Sequence, residues 1–267
     1  MFHGKKSFKE TVKKSYSRLI VPFIAFSILG ECVNIFAVLK SHPIVFSDFV
    51  KDTLIGFIQS GYFVGNPPLW FLLSLFVIKC TCSLFKSPNS RFILLVISLA
   101  TSIFMYIINP PVFWLMNIPM GLFFYVVGNF LSDKQYKKPV VFTSLVSLII
   151  IAIFFDSSVS IVRLMTIYGN FYIWILYAIV AVIVANNIFK SIESYFDIKG
   201  LRWLGKNSML LYVSHWPIMR LLHGIFSLCD VSNPYYQLSI MLVCMASAIL
   251  VEFKIIQKYK LGYLIGD

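Results

Sequence analysis

The side chains most able to do chemistry lie inside apolar sequence. The stretch "NSMLLYVSHWPIMR" (207–220) is almost wholly hydrophobic, yet it carries His215 followed by Trp216 and Pro217, with Arg220 one turn further on. An imidazole can act as a base, a ligand or a hydrogen-bond donor. It can equally make one interhelical hydrogen bond beside a proline kink, and the residues alone leave these readings open. Glu31 interrupts another apolar run. It is an ion or proton site, or it reaches the outer interface or a basic partner. Residues 216, 220 and 223 share one helical face and 215, 219 and 222 another, so Arg220 is not on the face of His215. Arg220 lines an outer, water-filled cavity for an anionic or hydroxyl-rich substrate, or it snorkels. Lys79 is expected to snorkel inward, and Glu252 to pair with Lys254 at the surface.

No P-loop, dinucleotide-binding glycine pattern, GxSxG or HExxH is present. Four histidines, His3, His42, His215 and His223, are too few and too scattered for a metal centre, and none is expected. "KCTC" (79–82) has no partnering Cys/His pair, and five cysteines, an odd number lying mostly in apolar runs, build no disulfide framework.

The elements that must position these groups follow from composition. Of 267 residues, 59% are hydrophobic and 13% charged, against about 25% charged in a soluble domain. The mean hydropathy is +0.83. Runs such as "SLVSLIIIAIFF" (144–155) have no polar face. The expected fold is an all-α, polytopic helix bundle within the lipid bilayer. About eight spans are expected, at 19–38, 69–85, 92–108, 113–131, 139–155, 171–189, 208–228 and 237–256.

The net charge of +12 does not mark a nucleic-acid binder, because the cations fall between spans and on alternate sides of them. With the N-terminus inside, basic clusters around Lys13, Lys14 and Arg18, around Lys137, around Arg202 and Lys206, and around Lys258 all face inward. Only Lys40, Lys51 and Arg163 face outward. This predicts an N-in, C-in topology. No cleavable signal follows the basic N-terminus. The segment 41–67 carries Asp48, Lys51 and Asp52, with Phe46, Phe49, Val50, Leu54, Phe57 and Ile58 at helical spacing. It is expected to be an amphipathic helix at the outer interface. A single membrane domain is expected over 1–267, with a basic cytoplasmic segment at 1–18 and a membrane core at 19–256. A polytopic transporter or exporter of a glycan or glycan precursor remains the alternative to an enzyme on these features.

Four stretches resemble one family. "SFKETVKKSYSRLIVPF" (7–23) is similar to the basic segment and helix start of the acyltransferase-3 family. "LWFLLSLF" (69–76), "FYVVGNFLSD" (124–133) and "LGKNSMLLYVSHWPI" (204–218) resemble its later spans, in the same order. The resemblance implies a multi-pass enzyme of the cell membrane, of the bacterial inner membrane in particular. It would move an acyl group, typically acetyl from acetyl-CoA or another acyl-CoA, to a hydroxyl of a surface carbohydrate.

The resemblance implies about ten core spans, two of them preceding the basic segment, the first carrying the base histidine. This chain begins at the basic segment, so a truncated product, a wrong start site or an inactive paralogue is expected, and the catalytic base is unassigned. His215 is a weak candidate for it, and is expected to line the substrate path with Trp70, Arg220 and Glu31. Arg18 matches one arginine of the family's basic segment, while Ser15 stands where a second is expected. Lys13, Lys14, Arg18, Arg202 and Lys206 are the candidate acyl-CoA phosphate ligands. Arg163, Arg220, Trp70 and segment 41–67 would border the carbohydrate.

Overall fold

The computed structural model describes residues 7–39, 46–108, 112–131, 138–154, 171–195, 199–228 and 233–265. Lys40, His42, Lys137 and Arg163 lie outside them. Every regular element among the described residues is helical: α1 (Phe8–Ser15), a π-helical turn (Tyr16–Ile20), α2 (Val21–Leu39), α3 (Phe46–Ser60), α4 (Trp70–Leu84), α5 (Pro88–Ile108), α6 (Phe113–Leu131), α7 (Lys138–Phe154), α8 (Phe171–Tyr195), α9 (Lys199–Lys206), α10 (Ser208–Leu228) and α11 (Pro234–Lys258), with 3-10 turns at Pro67–Leu69 and Gly262–Ile265.

Six helices among the described residues are long and apolar enough to cross a membrane. They correspond to six of the eight expected spans. The other two also form helices. α7 has 17 residues, slightly short of a span. α10 has 21 residues, but its serines, histidines and Arg220 dilute its apolarity. Side chains such as Ile107, Ile153 and Phe154 are about three-quarters exposed. Water would not tolerate so continuous an apolar surface, whereas hydrocarbon makes it costless. The chain is an all-α polytopic membrane protein.

The chain divides into two compact units. Phe85–Trp203 forms one. In it α5 packs on α6 and α7 on α8. Met116, Met120 and Phe123, at helical spacing on α6, bury against Ile175 of α8 and against Leu95, Leu99 and Ile103 of α5.

The other unit joins Lys6–Leu84 to Leu204–Asp267. Its core collects Leu19, Phe23 and Phe26, Leu69 and Leu72, Leu210 and Val213, Ile249, and Ile265 of the C-terminal turn. α10 lies against both α2 and α11, and α4 against α1 and the π turn. α1 opens on a capping box: Ser7 Oγ accepts the Glu10 N–H at 3.2 Å, and Glu10 Oε2 accepts the Ser7 N–H at 3.1 Å. The helix then runs on into α2 through one wide turn, with Val21 N–H donating to Tyr16 O. Pro22 follows at once and can donate no N–H, so the ladder is interrupted at this point in any case. α11 begins at Asn233, whose side chain accepts the Tyr235 N–H at 2.9 Å, with Pro234 in the first helical position.

Candidate functional site

The second unit is organised around the segment between α3 and α4, "GYFVGNPPLW" (61–70). It passes down α10 over about two turns. Arg220 Nη1 donates to Val64 O at 3.2 Å. Asn66 Nδ2 donates to Val213 O at 2.8 Å, and the Tyr212 hydroxyl donates to Pro68 O. On its other side the segment meets α2. The Gly65 N–H donates to Glu31 Oε1 at 2.7 Å, and Asn66 Nδ2 reaches Phe26 O at 3.4 Å. Asn34 Nδ2 donates to the second Glu31 oxygen at 3.0 Å.

Two glycines permit this approach. A Cβ on Gly65 would sit 2.1 Å from Gly30 C, and one on Gly30 would sit 2.8 Å from Gly65 C. Backbone meets backbone, so no side-chain adjustment could relieve the overlap.

Pro217 explains the contact made by Asn66. A proline at 217 removes the N–H that would bond to the Val213 carbonyl four residues earlier. That carbonyl belongs to a wholly buried residue, and it accepts from Asn66, itself wholly buried. The helix defect is thus filled by a side chain from the crossing segment, which is how irregular backbone is tolerated at membrane depth.

His215 Nδ1 lies 2.7 Å from Tyr212 O. A carbonyl can only accept, so Nδ1 carries the hydrogen and, in the neutral ring, Nε2 keeps its lone pair. The ring is half-buried and stands 6.0 Å from that of Tyr212. Tyr212 meets Phe71 edge-on at 6.0 Å, and Phe71 meets Trp70 edge-on at 6.1 Å.

The four residues expected to line a substrate path therefore gather on one segment. Glu31 and Arg220 hold the adjacent residues Gly65 and Val64, while Trp70 and His215 close an aromatic row from its end to α10. Both charged groups hold backbone here. Glu252 of α11 is half-buried and turns toward Ser214 of α10, with Oε2 buried and without a hydrogen-bond partner. It does not form the surface pair with Lys254 that its sequence neighbourhood suggests, because its helical face is that of buried Ile249 and half-buried Ile256. Asn66 and Tyr212 escaped the reading of the sequence. An Asn before two prolines between apolar runs was the available signal.

The candidate phosphate ligands are exposed. Lys13 and Lys14 occupy the last turn of α1, and Arg18 the π turn. Lys79 of α4 lies within electrostatic reach of Arg18, so a fourth cation joins this end of the unit. Ser15, where the resemblance expects a second arginine, is buried, and a guanidinium there would have to enter the core. Arg202 and Lys206 lie on α9, but Arg202 belongs to the first unit and Lys206 to the second. Among the described residues no group of His, Cys, Asp or Glu is placed to hold a metal ion.

No curated protein and no solved structure matches the chain. The sequence model of one family, described as an acyltransferase domain, matches residues 1–253, which takes in both units and nearly the whole chain. The chain belongs to the acyltransferase-3 family, and with its apolar helices it is a membrane acyltransferase.

Proposed function

We propose that the protein transfers an acyl group, acetyl in the first instance, from acyl-CoA to a hydroxyl of a cell-surface carbohydrate. The observation that carries the donor assignment is the cationic end of the second unit, where Lys79 lies within electrostatic reach of Arg18, with Lys13 and Lys14 on the preceding turn. Cations so gathered repel one another and favour a polyanion such as the phosphates of CoA. With the N-terminus inside, this end faces the cytoplasm, where acyl-CoA is found.

In the transfer the hydroxyl oxygen attacks the thioester carbonyl carbon, the C–S bond breaks, and the hydroxyl proton passes to the departing thiolate. His215 suits the acceptor side. With Nδ1–H held by Tyr212 O, its Nε2 can accept a hydrogen bond from a carbohydrate hydroxyl and position it. Trp70, Phe71 and Tyr212 add the aromatic surfaces on which sugar faces stack.

The test uses membranes containing the full chain, radiolabelled acetyl-CoA and the glycan of the host envelope. Acetyl-CoA-dependent, alkali-labile label in the glycan is the expected result, lost in an Arg18→Gln/Lys79→Gln variant. A glycan moved across the membrane without any acyl donor, and never labelled, would overturn the transferase reading in favour of an exporter.

A further inference from the structure

α2 and α3 enclose a cavity of about 600 Å³ that the acyl-transfer reading does not use. One wall is a helical stripe that runs from the π turn into α2: Ile20, Ile24, Ser27, Glu31 and Ile35. At 1.5 Å per residue this stripe is about 22 Å long, roughly two-thirds of the hydrocarbon thickness of a bilayer. The opposite wall is α3 with Thr53 and Phe57, and Phe63, stacked on Phe57 at 4.8 Å, also lines the cavity.

Dimensions select the occupant. A volume of about 600 Å³ over about 22 Å, widened by a water radius on each side, leaves a channel about 9 Å across, whereas a helix with its side chains needs about 10–12 Å. One hydrocarbon chain fits, and a helix does not. Exposed Ile28 on the α2 side, with exposed Leu54 and Ile58 on α3, continues the apolar surface outward, so a chain can enter sideways from the bilayer without crossing water.

One polar group is left over inside. Ser27 is 3% exposed, lines the cavity, and its Oγ has no hydrogen-bond partner. Ser74 and Ser102 are also buried without a partner, but neither lines this cavity, whereas Ser214 of α10 bonds back to Leu210 O at 2.7 Å and Ser147 of α7 to Thr143 O at 2.9 Å. The Ser27 hydroxyl therefore remains a donor for a ligand oxygen. Among the described residues no Lys or Arg lines the cavity, and both Glu31 oxygens already accept hydrogen bonds, which selects a neutral acceptor. We propose that the groove between α2 and α3 binds one acyl chain of a bilayer lipid, lying along α2, with its ester carbonyl accepting a hydrogen bond from Ser27.

The full chain in phosphatidylcholine vesicles doped with a phosphatidylcholine carrying a diazirine in one acyl chain is irradiated, digested and mapped by mass spectrometry. Label is expected to concentrate in residues 20–35 and 53–63, several-fold above the exposed faces of α5 and α7. Ile24→Trp, which fills the groove, is expected to remove that excess. Ser27→Ala is expected to weaken retention of the lipid through detergent washing about fivefold, the loss of one net hydrogen bond. Label spread evenly over all lipid-facing helices, or an excess unchanged in a monodisperse Ile24→Trp protein, would overturn the proposal. Wild-type protein gives a second reading should that variant not fold. Cys32 lines the groove, and its alkylation in detergent is expected to slow several-fold when phosphatidylcholine is added, while Cys244 keeps its rate. Equal rates with and without lipid, or protection by palmitoyl-CoA alone, would refute a bilayer lipid as the occupant.

Discussion

Replacing Asn66 by alanine tests the logic of the crossing segment. The side chain donates to Val213 O at 2.8 Å and more weakly to Phe26 O at 3.4 Å. Asn66→Ala removes a net hydrogen bond of about 1 kcal/mol and leaves the Val213 carbonyl buried with no donor, a further ~1–2 kcal/mol. The expected loss is therefore about 2–3 kcal/mol, with the 3.4 Å contact adding little. Pro217 is the reason the second term exists, since it withholds the helical N–H. In a Pro217→Ala background residue 217 can donate to Val213 O, so Asn66→Ala should there cost only about 1 kcal/mol. The assay is a double-mutant cycle, measured as reversible unfolding of purified protein in mixed detergent micelles. A coupling of about 1 kcal/mol or more is expected between residues on different elements. Additivity within about 0.3–0.5 kcal/mol, the usual behaviour of independent sites, would refute the claim that Asn66 fills the defect made by Pro217.

Gly65→Ala places a Cβ 2.1 Å from Gly30 C and is expected to destabilise by roughly 3 kcal/mol, at the upper end for overpacking. Gly56→Ala, within α3 and with nothing near its added Cβ, should stabilise by about 0.5–1 kcal/mol in the same unfolding assay. Arg18→Gln is expected to raise KM for acyl-CoA roughly tenfold at low salt with little change in kcat, and by less at high salt. A salt-independent effect would count against a phosphate contact. His215→Ala should lower kcat/KM for the carbohydrate about 5- to 100-fold, as loss of a positioning hydrogen bond implies, and leave thermal unfolding nearly unchanged. A loss above about 10³-fold with the fold retained would assign His215 the larger role of proton-abstracting base.

Much of the architecture is legible from residue type alone. Apolar runs of about 20 residues place α2, α4, α5, α6, α8 and α11, because hydrocarbon demands that every backbone group be bonded within its own helix. α10 is also where the apolar pattern of 208–228 puts it, although its polar residues keep it from reading as a clean span. Patterns of this kind do not show what a polar intramembrane residue touches. Glu31, 34 residues from Gly65, and Arg220, 156 residues from Val64, invite readings as ion or substrate groups; both hold the backbone of the same segment. Glu252 likewise turns inward to Ser214, not sideways to its neighbour Lys254.

The amino-acid sequence by itself determined an all-α membrane protein, its main spans, and the family to which it belongs, since these depend on hydropathy and short motifs that each stretch carries locally. Tertiary structure decided that Asn66 caps the carbonyl freed by Pro217, that Gly30 and Gly65 let two backbones touch, that Ser15 is buried where a cation was expected, and that α2 and α3 leave a chain-wide groove with one unmatched hydroxyl. Each of these rests on groups far apart in the chain meeting at ångström distances. Only the packing of α2, α10 and the crossing segment brings those groups together.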